Sequence, residues 1–330
     1  MKKVRIAING FGRIGRVVTR ALQNNSNVEL VAINDLMDLN QQAVLLKYDS
    51  VHGKLDGTVA AKDNCLEIND KIVYVYNCKN PEDLPWGELG IDVVLECTGI
   101  FRTKESASKH LKAGAKKVLI SAPVNDEIST IVMGINDNSL SLEEEIISNA
   151  SCTTNCAAPM VKIIDEACGI KKGLLTTVHA YTGDQSLHDS PHKDLRRARA
   201  GAENIVPTST GATNVLVQLF PHLHGCLFGS AMRVPVSVGS ITEMTFEIER
   251  KLTISEVNHL FKQKSENEYA GILEYTDDPI VSSDIIGNVH SCIFDAGLTI
   301  VNGNLLKISG WYDNEVGYSN RLLELAIKMC

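Results

Sequence analysis

Short runs rich in β-branched residues alternate with helix-period stretches over the first third of the chain, the pattern of a parallel sheet covered by helices. Residues 4–9 read as a strand, 13–23 as a helix and 28–35 as a second strand. Farther on, 91–98 is a nearly continuous apolar run, 105–112 has helical periodicity and 117–122 returns to strand. This alternation predicts a doubly wound, Rossmann-type α/β domain. The second half changes period: Thr242, Met244, Phe246 and Ile248 alternate with Glu243, Thr245 and Glu247, as in an antiparallel strand with one covered face. A helix is expected over about 254–264, opened by a capping box of Thr253 and Glu256. Asn302 and Gly303, between LTIV and NLLKIS, signal a hairpin turn. The change of pattern at SCTTNC sets the expected boundary between 1–151 and a second part from 152 onward, α+β with a mostly antiparallel sheet.

The length of 330 residues agrees with two domains. With 44% hydrophobic and 22% charged residues, the composition excludes disordered, collagenous and coiled-coil classes. A net charge of -8 disfavours nucleic acid or an anionic membrane as the primary partner. Nine irregularly spaced cysteines are too sparse for a disulfide scaffold. Arg5 and then Asn9 and Gly10 interrupt the apolar start too early for a signal-peptide core, and no run nears the ~20 apolar residues of a membrane span. A cytoplasmic location is expected.

Gly10, Gly12 and Gly15 form GFGRIG between the first strand and the first helix, where small residues let the backbone approach a pyrophosphate. Asp35 follows Gly15 by 20 residues, at the end of the second strand, where a carboxylate can accept from ribose hydroxyls. Cys152 opens a helical run, and the dipoles at a helix start lower a thiol's pKa. Pro159 is expected to kink that helix. Cys156 lies four residues beyond Cys152 without a second pair, so no metal site is expected. If 153–168 is helical the chain travels roughly 24 Å at ~1.5 Å per residue. A turn over 169–173 and a strand of about seven residues then return it by roughly 23 Å. His179 thereby comes level with Cys152, as base and ion-pair partner or as an ordinary structural histidine. The basic run HKDLRRARA is either a solvated loop or a phosphate site, and Thr208, Ser209, Thr210 and Gly211 form a turn able to bind an anion. Arg233, in an apolar strand-like run, calls for an anionic partner.

INGFGRIGR, LLKYDSVHG, AGAKKVLISAP, SNASCTTNC, TTVHAYT, HKDLRRARA, PTSTGAT and WYDNEVGYSNR occur in that order along nearly the whole chain. Through them the sequence resembles the phosphorylating glyceraldehyde-3-phosphate dehydrogenases. The resemblance implies an NAD-binding domain, a catalytic domain over 152–314, a C-terminal helix within 315–330 that packs back on the NAD-binding domain, and a homotetramer. By position it makes Cys152 the nucleophile and His179 its base. Arg13, Ile14, Asp35 and Ser121 would contact NAD, and Asn314 would orient the nicotinamide amide. Thr182 and Arg233 would take the substrate phosphate. Ser151, Thr153, Arg197, Thr210 and Gly211 would take inorganic phosphate. The chain departs from the family in having Lys79 where an arginine is frequent, RVPVSVGSITEM for the usual RVPTPNVSVVDL, and Val316 where tryptophan is frequent. Two other readings remain: an erythrose-4-phosphate dehydrogenase that hydrolyses its thioester, and a non-catalytic binding protein.

Overall fold

A computed structural model describes residues 3–23, 25–124 and 126–330. The chain packs into two units, each with its own sheet. One comprises residues up to Ile131, with Asp137–Ala150 and Ser319–Cys330; the other comprises Val132–Asn136 and Ser151–Tyr318. The C-terminal helix Val316–Lys328 thus joins the first unit from Ser319 onward, and the Lys117 ammonium there donates to the Met329 carbonyl at 2.7 Å. The short segment 132–136 belongs to the second unit although it lies within the span expected for the first.

The first unit is built on nine strands, in the spatial order Ser129–Thr130, Ile146–Ser148, Lys117–Ile120, Val93–Glu96, Val4–Asn9, Val28–Asn34, Lys71–Tyr76, Cys65–Ile68 and Val59–Lys62. Neighbours are parallel as far as Lys71–Tyr76, and the last two strands turn back antiparallel. Ile6, Ile8, Ile33, Val94 and Leu95 are fully buried, which explains the unbroken apolar runs of strands covered on both faces. Val4–Asn9 lies between Val28–Asn34 and Val93–Glu96, so the sheet grows in opposite directions from it. Such a reversal leaves a crevice at the C-terminal ends of the strands.

In the second unit Ile170–Ala180 runs parallel to Leu227–Val234 and antiparallel to Ser240–Ile248, which pairs in turn with Leu305–Tyr312. Ser240–Ile248 alternates buried and half-buried positions along its length, as its period of two requires. The helix Ile254–Glu266 carries the expected capping box of Thr253 and Glu256. Two local expectations change. Asn302 pairs with Leu305, so the hairpin turns on Gly303 and Asn304 instead of Asn302 and Gly303. Gly303 has φ +63° and Asn304 is not left-handed, the requirement of a turn with glycine in its first central position. The helix Cys152–Cys168 runs continuously through Pro159, which is buried. Its direction then reverses at Gly169 alone, at φ +68°, and the following strand has 11 residues where about seven were expected.

Candidate active site

A cleft of about 520 Å³, within the usual range for ligand sites, opens at the switch point of the first unit. Asn9, Gly10 and Gly12 line it at the end of Val4–Asn9, Asn34, Asp35 and Leu36 at the end of Val28–Asn34, and Cys97 and Thr98 just after Val93–Glu96; Lys79 lies on its wall. The three glycines do different work. Gly10 has φ +94°, and a Cβ there would lie 2.6 Å from the Thr98 nitrogen. A Cβ on Gly15 would lie 2.3 Å from the Gly10 carbonyl oxygen, so this glycine lets helix and strand pack. A Cβ on Gly12 would meet nothing within 4 Å: its missing side chain leaves open space at the start of the helix Arg13–Leu22, which no side chain caps. That is the fit expected for a pyrophosphate against backbone N–H groups.

Asp35 is held at the rim by two backbone donors, Phe11 N–H to Oδ2 at 2.5 Å and Met37 N–H to Oδ1 at 2.8 Å. Arg13 and Ile14 occupy the first turn of the helix, and the Arg13 guanidinium pairs with Asp49. Ser121 is absent from the lining, but its side chain hydrogen-bonds the Cys97 thiol that is part of it. Beneath the cleft lies a buried polar chain that sequence reasoning missed. Asn34 donates to Asn9 at 2.7 Å, Asn9 to Glu96 at 2.5 Å, and His110 Nε2 contacts Glu96 at 3.0 Å. The Trp86 indole N–H donates to His110 Nδ1 at 3.0 Å, so Nε2 carries the ring proton toward Glu96. An acidic residue ending the apolar run VVLE was the available signal.

In the second unit, Ser151 caps the helix Cys152–Cys168 by accepting from the Thr154 N–H at 3.1 Å. This puts Cys152 in the first turn, where its own N–H and that of Thr153 hydrogen-bond the sulfur. Cys152 Sγ lies 3.4 Å from His179 Nε2. On the far side of the ring, Nδ1 is 2.7 Å from the Ala180 carbonyl oxygen, which only accepts. Nδ1 therefore holds the proton and Nε2 presents a lone pair to the thiol.

Burial pushes the Cys152 thiol up to about 11, against the pull of Arg233 and of the Thr153 N–H and hydroxyl. Burial and the positive charge of Arg233 bring His179 down to about 4. The N–H groups at the helix start do pull the thiol down as expected, but burial outweighs them, so the net shift is upward. These directions describe either group ionising alone. Passing the thiol proton to Nε2 charges both groups at once and adds an attraction of about 5 kcal/mol at an effective dielectric of 20. That attraction favours passing the proton within the pair over ionising either group alone.

Arg233 sits directly beside His179 because the parallel strands pair these two residues. Its Nη1 donates to the Thr182 hydroxyl at 3.0 Å and to the Ala180 carbonyl at 3.2 Å. Arg197 reaches the other anion turn: Nε donates to Thr208 Oγ1 at 2.9 Å and Nη2 approaches the Ser209 carbonyl at 3.4 Å. Thr210 and Gly211 follow, at the start of the helix Ala212–Leu219, where the Thr210 hydroxyl accepts from the Ala212 N–H at 3.2 Å. The Thr153 hydroxyl bonds Tyr312 Oη at 2.9 Å and stays within reach of the Cys152 sulfur, as does the Thr153 N–H. Tyr312 also bonds Thr177 at 2.8 Å and stands edge-on to His179. Asn314 Oδ1 accepts from the Gly239 N–H at 3.1 Å and from Ser240 at 3.2 Å, and these two donors fix its amide. Ser240 in turn accepts from the Ala180 N–H at 3.1 Å.

All nine cysteines carry free thiols. Among the described residues no cluster of three or more His, Cys, Asp or Glu is placed to hold a metal, and no helix is long and apolar enough to cross a membrane.

Residues 4–104 match the family described as glyceraldehyde 3-phosphate dehydrogenase, NAD binding domain, and residues 151–314 match its C-terminal domain. A Streptomyces avermitilis protein named glyceraldehyde-3-phosphate dehydrogenase 2 is 53% identical over 98% of both chains. The glyceraldehyde-3-phosphate dehydrogenase of Streptomyces coelicolor is 54% identical over 98% of both. Glyceraldehyde-3-phosphate dehydrogenase 1 of Bacillus subtilis is 51% identical, over 98% of this chain and 97% of its own. With both halves matched and a thiol–imidazole pair in the second unit, the chain belongs to the glyceraldehyde-3-phosphate dehydrogenase family.

Proposed function

We propose that this chain catalyses the NAD-dependent oxidation of D-glyceraldehyde 3-phosphate, with inorganic phosphate receiving the acyl group as 1,3-bisphosphoglycerate. The observation that carries this reading is the 3.4 Å approach of Cys152 Sγ to the unprotonated nitrogen of His179. Cys152 adds to the aldehyde as its proton passes, by way of His179 Nε2, to the aldehyde oxygen, giving a hemithioacetal and returning His179 to its neutral form. His179 then takes the hydroxyl proton as the carbon is oxidised to a thioester, and inorganic phosphate cleaves that thioester. NAD supplies the hydride acceptor when bound. Gly10, Gly12 and the first-turn N–H groups of Arg13, Ile14 and Gly15 would hold its pyrophosphate, Asp35 its adenosine ribose, Ser121 the wall beside Cys97, and Asn314 the nicotinamide amide.

Thr182 and Arg233 would bind the substrate phosphate. Arg197, Thr210, Gly211 and the helix start at Ser151 and Thr153 would bind the attacking one, since guanidinium forks and helix N-termini both suit phosphate oxygens. Oxidation of this aldehyde belongs to glycolysis and gluconeogenesis, in the cytoplasm. We assign the working form as a homotetramer, a state that light scattering would measure directly.

The test is NADH absorbance with aldehyde and NAD, with and without inorganic phosphate. Turnover that requires phosphate supports the proposal. Phosphate-independent turnover would indicate a hydrolytic erythrose-4-phosphate type, which the names of the relatives do not favour. Cys152→Ser should abolish oxidation and leave NAD binding intact, because a serine hydroxyl is far from ionised at neutral pH.

A further inference from the structure

One carboxylate stands between the two arginines just assigned to phosphate. Asp184 Oδ2 accepts from Arg197 Nη1 at 2.8 Å. Its Oδ1 accepts the Thr182 hydroxyl, whose oxygen accepts in turn from Arg233. Arg197 is engaged elsewhere as well: its Nε bonds Thr208, and that hydroxyl donates to Asp194 at 2.7 Å. Two guanidiniums thus face two carboxylates, so the pocket has no surplus positive charge for an incoming anion. Burial raises the Asp184 carboxyl, yet the Thr182 hydroxyl and the two arginines hold it below the usual carboxylate range. The group is ionised at neutral pH.

We infer that Asp184 is a built-in competitor for inorganic phosphate: it occupies the Arg197 edge that the phosphate needs and is displaced when the phosphate binds. The inference rests on the assignment of Arg197 to the attacking phosphate. The Asp184 side chain is 39% exposed, which gives it room to leave, whereas Arg197 is 21% exposed and anchored at Thr208. A carboxylate accepting from a guanidinium fork resembles a phosphate doing the same. Holding the site in this way keeps its affinity moderate, which suits an anion that must enter as phosphate and depart as part of an acyl phosphate.

The sign of the effect separates this role from ordinary damage. Asp184→Asn keeps an acceptor for Thr182 but frees the Arg197 charge, and should lower the phosphate KM roughly three- to fivefold, the upper part of the range for a partly exposed ion pair. Asp184→Ala should shift it the same way and serves if the first variant folds poorly. Asp189→Asn is the control: it removes the same charge from the same loop, but its partners are Arg199 and the Ala200 N–H. Its phosphate KM should stay within about twofold of the parent value. Arg197→Ala should raise the phosphate KM. If it does so while neither Asp184 variant lowers the KM, the competitor role is overturned and the phosphate assignment stands. An Arg197→Ala enzyme with unchanged phosphate KM overturns the assignment itself. Equal gains from Asp184→Asn and Asp189→Asn would reduce the effect to general charge and also overturn the inference.

Discussion

Two glycines of GFGRIG should fail in different ways when each is replaced by alanine. At Gly15 the new methyl would sit 2.3 Å from the Gly10 carbonyl oxygen and 3.1 Å from Ile8 Cγ2, so strand and helix must separate. Overpacking of this kind costs about 1–3 kcal/mol, offset by up to ~1 kcal/mol from alanine's higher helix propensity. The net loss of ~1–2 kcal/mol should lower Tm by about 2–8 °C. At Gly12 the backbone has φ -71°, which alanine adopts freely, and the methyl would enter open space. Only the weaker N-cap preference of alanine counts against folding, about 0.5–1 kcal/mol, so Tm should fall by less than about 4 °C. The same methyl would stand where the pyrophosphate approaches the backbone. A clash of ~1.4–2.8 kcal/mol there corresponds to a 10- to 100-fold weaker NAD Kd. Thermal unfolding and calorimetric NAD titration measure the two effects separately. Unimpaired NAD binding by Gly12→Ala would refute the argument that this space receives the cofactor.

His179→Asn should slow oxidation by roughly 10²- to 10⁴-fold. It should also move the pH at which iodoacetamide alkylates Cys152 upward, toward the value of about 11 that burial imposes; an unchanged alkylation profile would make His179 structural. Asp35 should favour NAD over NADP by roughly 30- to 150-fold, through ~2–3 kcal/mol of surviving repulsion against a 2'-phosphate. Because Asp35 also accepts from Phe11 and Met37, Asp35→Ala should weaken NAD itself while narrowing that ratio, measured as kcat/KM with each cofactor. Burial works to raise the Asp49 carboxyl, but the His52 and Val51 N–H groups and Arg13 hold it well below the ordinary value. Its stabilising contribution is therefore complete above the unfolded carboxyl pKa and lost as pH falls through the folded one. The stability gap between the parent and Asp49→Asn in denaturant titrations should be largest near neutrality and close in acid. A gap independent of pH would assign the loss to packing.

Features that depend on neighbours along the chain were legible in the amino-acid order. The period of two over 240–248 defined a strand with alternating burial, Thr253 and Glu256 marked a helix start, and the glycine spacing after residues 4–9 located the nucleotide crevice. These follow from local sterics and from which faces must be buried. Cys152 and His179 were legible as a pair because a helix and a returning strand have fixed rises. Tertiary structure decided the rest. The hairpin settled on Gly303 and Asn304 because strand pairing sets the register, and Pro159 stayed within a continuous helix buried in its unit. Arg233 lies beside His179 through a parallel pairing across 54 residues, a register no local pattern encodes. The thiol's environment also escaped the sequence, since desolvation depends on everything packed around the sulfur and here outweighs the helix start. Asp184 between two arginines, and Glu96 meeting Asn9 across 87 residues and His110 beneath the crevice, are meetings of charged or polar groups from separate strands and loops. Their partners are chosen by which strands and loops each unit brings together, because a buried polar group must find its hydrogen bond wherever the fold brings one.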